Sequence, residues 1–173
     1  MNDDLKAYIR DIPDFPKPGI LFRDITPLLA NATAFRQTVE RIAALYQGRV
    51  DMVLGIESRG FIVGSPLAYV LNTGLAVVRK PGKLPSLTFT AQYALEYGHD
   101  ALEIHRDAFG HPCRVLIVDD LLATGGTAHA AVELVERLGG EIVGCAFIIE
   151  LSFLKGRNAL RPHEVRSLID YTD

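Results

Sequence analysis

Residues 115–127 of the chain read Val115-Leu116-Ile117-Val118-Asp119-Asp120-Leu121-Leu122-Ala123-Thr124-Gly125-Gly126-Thr127. The first four are apolar and predict a buried strand, and two acids follow where that strand leaves the core. Glycines and threonines then lead into a helix, so that free amides of its first turn can approach an anion closely. Two adjacent acids cannot both be buried without partners, and diols or metal-bound waters are suitable ones. The run therefore predicts a site for a sugar and its phosphate.

Two other phosphate-binding motifs are absent from the sequence. There is no GK[ST] and hence no P-loop, and there is no GxGxxG dinucleotide fingerprint. A pair of glycines can also serve only as a tight turn between a strand and a helix. The acids before Gly125 and Gly126, and the threonines on either side of them, favour the phosphate interpretation.

Strand and helix patterns alternate from residue 50 to residue 151. Helices are predicted over 33–47 (with Thr33 as N-cap), 58–71 and from 128 to 138, and strands over 50–56, 75–78, 115–118, 142–151 and, at an edge, 165–169. This alternation predicts an α/β fold with a mostly parallel central sheet and helices on both faces. Residues 87–97 mix polar and aromatic side chains and predict an exposed two-stranded excursion or a mobile flap.

Two more chemically suggestive clusters follow predicted strands. Ser58 and Arg59 lie at a strand-to-helix junction, where Ile56 breaks the G-x-S-x-G pattern of a hydrolase. Arg59 is interpreted as an anion ligand, with a plain surface arginine as the alternative. The stretch 79–83 holds three cations, which either bind phosphate or form a solvated face. Because ligands of parallel sheets bind at the carboxyl ends of the strands, all three clusters are expected to form one composite site.

The composition describes an ordinary globular chain. Its 173 residues fit one domain, 49% of them are hydrophobic, and the net charge of −3 disfavours general nucleic-acid binding. No apolar run approaches the length that spans a bilayer, and the acidic start lacks a signal core. Cys113 and Cys145 form no CxxC pair and are expected to be reduced, buried thiols, so the chain is expected to be cytoplasmic. The histidines show no metal-ligand spacing: His99, His105, His111, His129 and His163.

The run 115–127 resembles the phosphoribosyl-pyrophosphate motif of the type I phosphoribosyltransferases. Residues 15–27 resemble the N-terminal hood of the adenine-specific branch of that family. Further resemblances follow in the same order along the chain, at 57–61, 79–85, 95–98 and 150–157. The resemblance covers nearly the whole chain and implies one type I phosphoribosyltransferase-like domain over 1–173, with a hood over 1–33 and a flexible β flap over 84–99.

The resemblance also implies a reaction, in which adenine and phosphoribosyl pyrophosphate give AMP and pyrophosphate. Mg²⁺ would be held mainly by substrate and water, and the protein would be a homodimer in which Arg79 can reach the neighbouring subunit's site. It implies a non-proline cis peptide in the loop of Ser58 and Arg59. The implied roles are ribose binding by Asp119 and Asp120; 5′-phosphate binding by Ala123, Thr124, Gly125, Gly126 and Thr127; pyrophosphate binding by Ser58, Arg59, Arg79, Lys80 and Lys83; adenine binding by Leu21, Phe22 and Arg23; and catalysis by Glu96 and Arg59.

Glu96 is the expected acid/base near adenine N7, and its alternative interpretation is a plain surface carboxylate. Two alternative functions are a transferase acting on another purine base and a non-catalytic regulator that senses phosphoribosyl pyrophosphate. The hood argues against the first. The second usually carries an added basic segment, which is not found here, and the retained Arg59 and Glu96 favour an enzyme.

Overall fold

The structure is a computed structural model that describes residues 3–94 and 99–173. The helices in these ranges are α1 (Asp3–Lys6), α2 (Thr26–Ala30), α3 (Ala32–Tyr46), α4 (Arg59–Leu71) and α5 (Gly126–Arg137). The strands are β1 (Arg10–Pro13), β2 (Leu21–Asp24), β3 (Met52–Ile56), β4 (Gly74–Val78), β5 (Thr88–Ala94), β6 (His99–His105), β7 (Arg114–Leu122), β8 (Glu141–Leu151) and β9 (Val165–Tyr171). Two short 3-10 segments, Ser152–Leu154 and Gly156–Leu160, join β8 to β9.

The central sheet contains five parallel strands in the order β4-β3-β7-β8-β9. This confirms the predicted parallel sheet, including the edge strand near the C-terminus. From β3 the chain passes through α4 to β4 on one side, whereas from β7 it passes through α5 to β8 on the other. The strand order therefore reverses between β3 and β7, which is the point where doubly wound sheets open a crevice for ligands.

Apolar side chains cover both faces of the sheet, as the alternation of elements predicts. Val53, Leu116 and Val118 pack with the buried faces of α3 and α4, while their neighbours Leu54 and Ile117 pack with α5 and the β5–β6 hairpin. Successive side chains of a strand point to opposite faces, so one apolar run supplies both cores. None of the helices in the described ranges is long and apolar enough to cross a membrane.

The start of α3 differs from its prediction. The helix begins at Ala32, and the Asn31 side chain accepts the backbone N–H of Ala34 at 2.9 Å. Thr33, predicted as the N-cap, is the second helical residue. Asn is a better N-cap than Thr and lies two residues earlier, where it can reach a free amide of the first turn.

Two hairpins flank the central sheet. In the hood, β1 pairs antiparallel with β2, and buried Asp24 accepts hydrogen bonds from Arg10 Nε at 3.0 Å and Nη2 at 2.6 Å. Strands β5 and β6 form the second hairpin, which extends past the predicted flap boundary to His105. The guanidinium groups of Arg106 and Arg137 each lie over its Phe89 ring, 4.9 Å from the ring centroid. The flexibility predicted for this flap stays a prediction.

Candidate functional site

A cavity of about 330 Å³ opens at the carboxyl ends of β3 and β7, where the strand order reverses. Residues from all three predicted clusters line it, together with a tyrosine of the β5–β6 hairpin. The lining residues are Glu57, Ser58, Arg59, Lys80, Tyr93, Asp119, Asp120, Leu121, Leu122, Ala123, Thr124, Gly125, Gly126, Thr127 and Ala128. Segments more than sixty residues apart in the sequence thus share one cavity, as the parallel sheet predicts.

The segment 123–127, here called the phosphate loop, connects β7 to the start of α5. Gly125 adopts a φ of +88°, and a Cβ at that position would lie only 2.5 Å from the carbonyl oxygen of Gly156. Glycine is therefore required by both backbone conformation and space. The N-cap residue of α5 is Gly125, which has no side chain to accept the amides of the first turn. These amides remain available to an anion, which the positive end of the helix dipole also favours.

Asp119 and Asp120 line the cavity next to this loop. Asp120 is 4% exposed and forms an ion pair with Nε of Arg59. Asp119 Oδ1 accepts the backbone N–H of Asp120 at 2.9 Å. Burial, and secondly the neighbouring charge of Asp120, raise the pKa of Asp119 well above its ordinary value. Among the described residues, Asp120 is thus ion-paired with Arg59, whereas Asp119 forms no ion pair of its own and feels the Arg59 charge only from a distance.

Arg59 begins α4 immediately after Ser58, and the Glu57–Ser58 peptide bond is cis, as the resemblance implies. The close approach of α4 to β7 depends on Gly60, where a Cβ would lie 2.7 Å from the carbonyl oxygen of Val118. Burial of the Arg59 guanidinium opposes its charge, but Asp120 outweighs that effect and the pKa of Arg59 is raised. The side chain stays about half exposed, at 47%, and can face a ligand in the cavity.

The cationic cluster after β4 is organised by Glu57. One oxygen of this carboxylate accepts Nη2 of Arg79 at 2.9 Å and the other accepts the backbone N–H of Lys80 at 2.9 Å. These bonds, that of Arg79 foremost, lower the pKa of Glu57. Lys80 reaches the cavity and donates to the Tyr93 hydroxyl at 3.1 Å, besides pairing with Asp100. Arg79 and Lys83 are not among the described residues that line the cavity.

The three hood residues predicted to bind adenine also lie outside the described lining of the cavity. Phe22 contacts a lining residue, since the Arg59 guanidinium is 5.7 Å from its ring centroid. Arg23 forms an ion pair with Asp11 at 2.7 Å and stacks over Tyr171 at 3.8 Å, while Leu21 is exposed. The prediction for Glu96 falls on residues 95–98, which lie outside the described residues.

Two features of the site were missed in the sequence. Glu57 precedes Ser58 and was not assigned a role, although it holds two members of the cationic cluster. Tyr93 lines the cavity and its hydroxyl donates to Asp100 at 3.1 Å. The available signals were an acid directly before Ser58 and Arg59 and the aromatic residues of the predicted flap, but neither specifies a partner without the strand order.

Comparisons with known proteins identify the family of this chain. The family described as "Phosphoribosyl transferase domain" matches residues 25–168. An adenine phosphoribosyltransferase of Chloroflexus aurantiacus is 56% identical over 169 residues, which cover 97% of this chain and 98% of that protein. The crystal structure of the enzyme from Thermoanaerobacter pseudethanolicus superposes with a TM-score of 0.95 at 50% identity, covering 99% of this chain and 100% of that one. The Saccharomyces cerevisiae enzyme, in complex with an imino-altritol bisphosphate and adenine, gives a TM-score of 0.93 at 41% identity, covering 96% and 97%. The chain therefore belongs to the phosphoribosyltransferase family, among the adenine phosphoribosyltransferases.

Proposed function

We propose that this chain transfers the 5-phosphoribosyl group of phosphoribosyl pyrophosphate to adenine, with AMP and pyrophosphate as products. The observation that carries the proposal is the single cavity that brings two acids, a phosphate loop and cations from two other strand ends together. Such a set matches the hydroxyls, the 5′-phosphate and the pyrophosphate of one substrate. The adenine-bound yeast relative supports the choice of base.

The phosphate loop would hold the 5′-phosphate through Ala123, Thr124, Gly125, Gly126 and Thr127. Asp119 and Asp120 would accept hydrogen bonds from the ribose hydroxyls, and for Asp119 these would add to the hydrogen bond that it accepts from the backbone N–H of Asp120. Because these contacts fix the sugar, its anomeric carbon is presented to the base in one orientation.

During the reaction the bond between the anomeric carbon and pyrophosphate breaks, and a bond to an adenine nitrogen forms while the base loses a proton. Arg59, Lys80 and Lys83 would stabilise the negative charge that develops on pyrophosphate, together with Ser58 and Arg79. Glu96 would take part in proton transfer near N7 or orient the base. Leu21, through its backbone, Phe22 and Arg23 would face adenine, and closure of the flap over 84–99 would exclude water that hydrolyses the activated sugar.

Mg²⁺ fits this arrangement as a companion of the substrate. Within residues 3–94 and 99–173 no three His, Cys, Asp or Glu side chains come together as a metal site. Glu57 and Asp120 are already paired with arginines, which leaves Asp119 as the acid best able to contact a metal through water. Mg²⁺ commonly keeps several waters and binds substrate phosphates, so when bound it would add positive charge at the pyrophosphate.

We also propose that each chain forms one domain over 1–173, that two chains form a homodimer, and that the protein is cytoplasmic. The outer face of α4 exposes Ile62, Tyr69 and Val70, and Leu75 is exposed on the neighbouring edge strand β4. Apolar side chains grouped at a sheet edge are typical of a protein interface. Tyr69→Glu is expected to shift the protein toward monomer in size-exclusion chromatography with light scattering. An unchanged mass would argue against this surface, and a monomeric wild type would argue against the dimer.

The assay that tests the function offers adenine, guanine, hypoxanthine and xanthine separately, each with phosphoribosyl pyrophosphate and Mg²⁺. Release of pyrophosphate and the nucleotide formed are both measured. Turnover with adenine alone is expected. Turnover with hypoxanthine but not adenine would assign the chain another base, and binding of phosphoribosyl pyrophosphate without turnover of any base would make it a regulator.

A further inference from the structure

The turn over residues 155–160, which follows β8, packs directly against the phosphate loop. We call this segment the buttress turn. The carbonyl oxygen of Gly156 is so near Gly125 that no Cβ fits between them, and a Cβ at Gly156 would collide with the carbonyl oxygen of Ala123. The Ala159 methyl group would lie 3.0 Å from a Cβ at Gly125. Backbone touches backbone here, so a shift of the turn displaces the loop.

The buttress turn also contacts the start of α5. Nδ1 of His129 lies 2.9 Å from the carbonyl oxygen of Ala159. Because a carbonyl oxygen can only accept, Nδ1 carries the hydrogen and donates it. His129 belongs to the first turns of the helix whose free amides face the phosphate loop. The buttress turn therefore contacts both parts of the anion site, the loop and the helix start.

Arg157 fixes the buttress turn to the sheet. Its Nε and Nη2 donate to the two carboxylate oxygens of Glu150, each at 2.6 Å, and its Nη1 donates to the carbonyl oxygen of Val165 at 2.8 Å. Glu150 is 2% exposed at the end of β8, and the Ser167 hydroxyl of β9 donates to it at 2.7 Å. One guanidinium thus connects the turn to two neighbouring strands.

Stability alone is a weak reason for this arrangement, because burying the Glu150 carboxylate costs desolvation while its partner Arg157 stays 49% exposed, and an apolar pair often stabilises a fold equally well. A two-bond arginine–carboxylate fork instead imposes orientation. We propose that Arg157 and Glu150 are positioning residues for the 5′-phosphate: through the buttress turn they hold the phosphate loop in its anion-binding form. The proposal rests on the proposed function, which assigns that phosphate to the loop.

Arg157→Lys tests this proposal, because it keeps the charge but cannot form the fork. Arg114→Lys is the matched control, since Arg114 forms the same kind of fork with Asp51, at 2.9 and 2.7 Å, at the opposite end of β7. We would measure the Kd for AMP, the KM for each substrate, kcat and Tm. Arg157→Lys should raise the Kd for AMP and the KM for phosphoribosyl pyrophosphate about tenfold, the equivalent of one charge-assisted hydrogen bond. The KM for adenine and kcat at saturating phosphoribosyl pyrophosphate should change less than about twofold, and the control should move only Tm.

The positioning role would be overturned if Arg157→Lys raised the Kd for AMP and the KM for adenine equally. It would also be overturned if Arg114→Lys raised the Kd for AMP or the KM for phosphoribosyl pyrophosphate as much as Arg157→Lys does. If Arg157→Lys does not fold, Glu150→Gln, which keeps the side-chain volume, is measured in its place, and an unchanged Kd for AMP there also overturns the role.

Thr127→Val separates the positioning role from the assignment of the 5′-phosphate to the phosphate loop. A loss of AMP binding in Thr127→Val with none in Arg157→Lys removes only the positioning role. Undiminished AMP binding in Thr127→Val removes the assignment of the loop, and the positioning role with it.

Discussion

Replacement of Gly125 by alanine tests the geometry of the phosphate loop most directly. The residue adopts a φ of +88°, in the left-handed region, where a side chain costs about 1–2 kcal/mol. The new methyl group would lie 2.5 Å from the Gly156 carbonyl oxygen, and overpacking of this kind costs about 1–3 kcal/mol. The sum is a loss of about 2–5 kcal/mol in unfolding free energy, or about 5–15 °C in Tm for a chain of this size.

Gly48→Ala provides the control. Gly48 adopts a φ of +72° and has open space where a Cβ would be added, so this variant isolates the backbone cost of about 1–2 kcal/mol. Differential scanning calorimetry and steady-state kinetics on both variants give the comparison. Gly125→Ala should also raise the KM for phosphoribosyl pyrophosphate by about ten- to a hundredfold, because the loop amides move away from the phosphate. If Gly125→Ala loses no more stability than Gly48→Ala and keeps its KM, the close contact between loop and buttress turn is not as described.

Three further predictions concern the acids of the site. Asp119→Asn combined with Asp120→Asn should raise the KM for phosphoribosyl pyrophosphate or abolish turnover, and wild-type kinetics would show that these acids do not hold the ribose. Glu96→Gln should lower kcat by about 10²–10⁴ if Glu96 is a general acid/base, and an unchanged kcat would remove that role. Asp119→Asn alone should raise the Tm of the ligand-free protein at neutral pH, since the raised pKa of Asp119 means that burying its charge destabilises the fold. That advantage should vanish as the pH falls below about 3.8, where the carboxyl is protonated in both the folded and unfolded states, and a Tm difference independent of pH would contradict it.

The parallel sheet and its helices could be predicted from local patterns. Apolar runs such as Val115–Val118 and the helical spacing after Thr127 are properties of consecutive residues, and hydrophobic burial acts on them directly. The N-cap of α3 could not be placed as surely, because Asn31 and Thr33 both suit a helix start and differ only slightly in capping energy.

The expectation of one composite site also followed from sequence, since carboxyl ends of parallel strands share an edge of the sheet. The partners of the charged side chains could not be predicted from the sequence. Arg59 pairs with Asp120 and Arg79 with Glu57 because β3 lies between β4 and β7, and that order depends on contacts between distant segments. The hood residues show the same limit, since Arg23 stacks on Tyr171 of the last strand.

Residues 119–127 thus specify their chemistry locally: acids for hydroxyl groups, and glycines with a helix start for a phosphate. No pattern in that run indicates that the loop rests on the turn containing Gly156, or that Arg157 holds this turn against buried Glu150. Motif chemistry arises from neighbours along the chain. The rigidity that makes the motif a binding site arises from backbone contacts between segments about thirty residues apart, which exist only after β8 and β9 have joined the sheet.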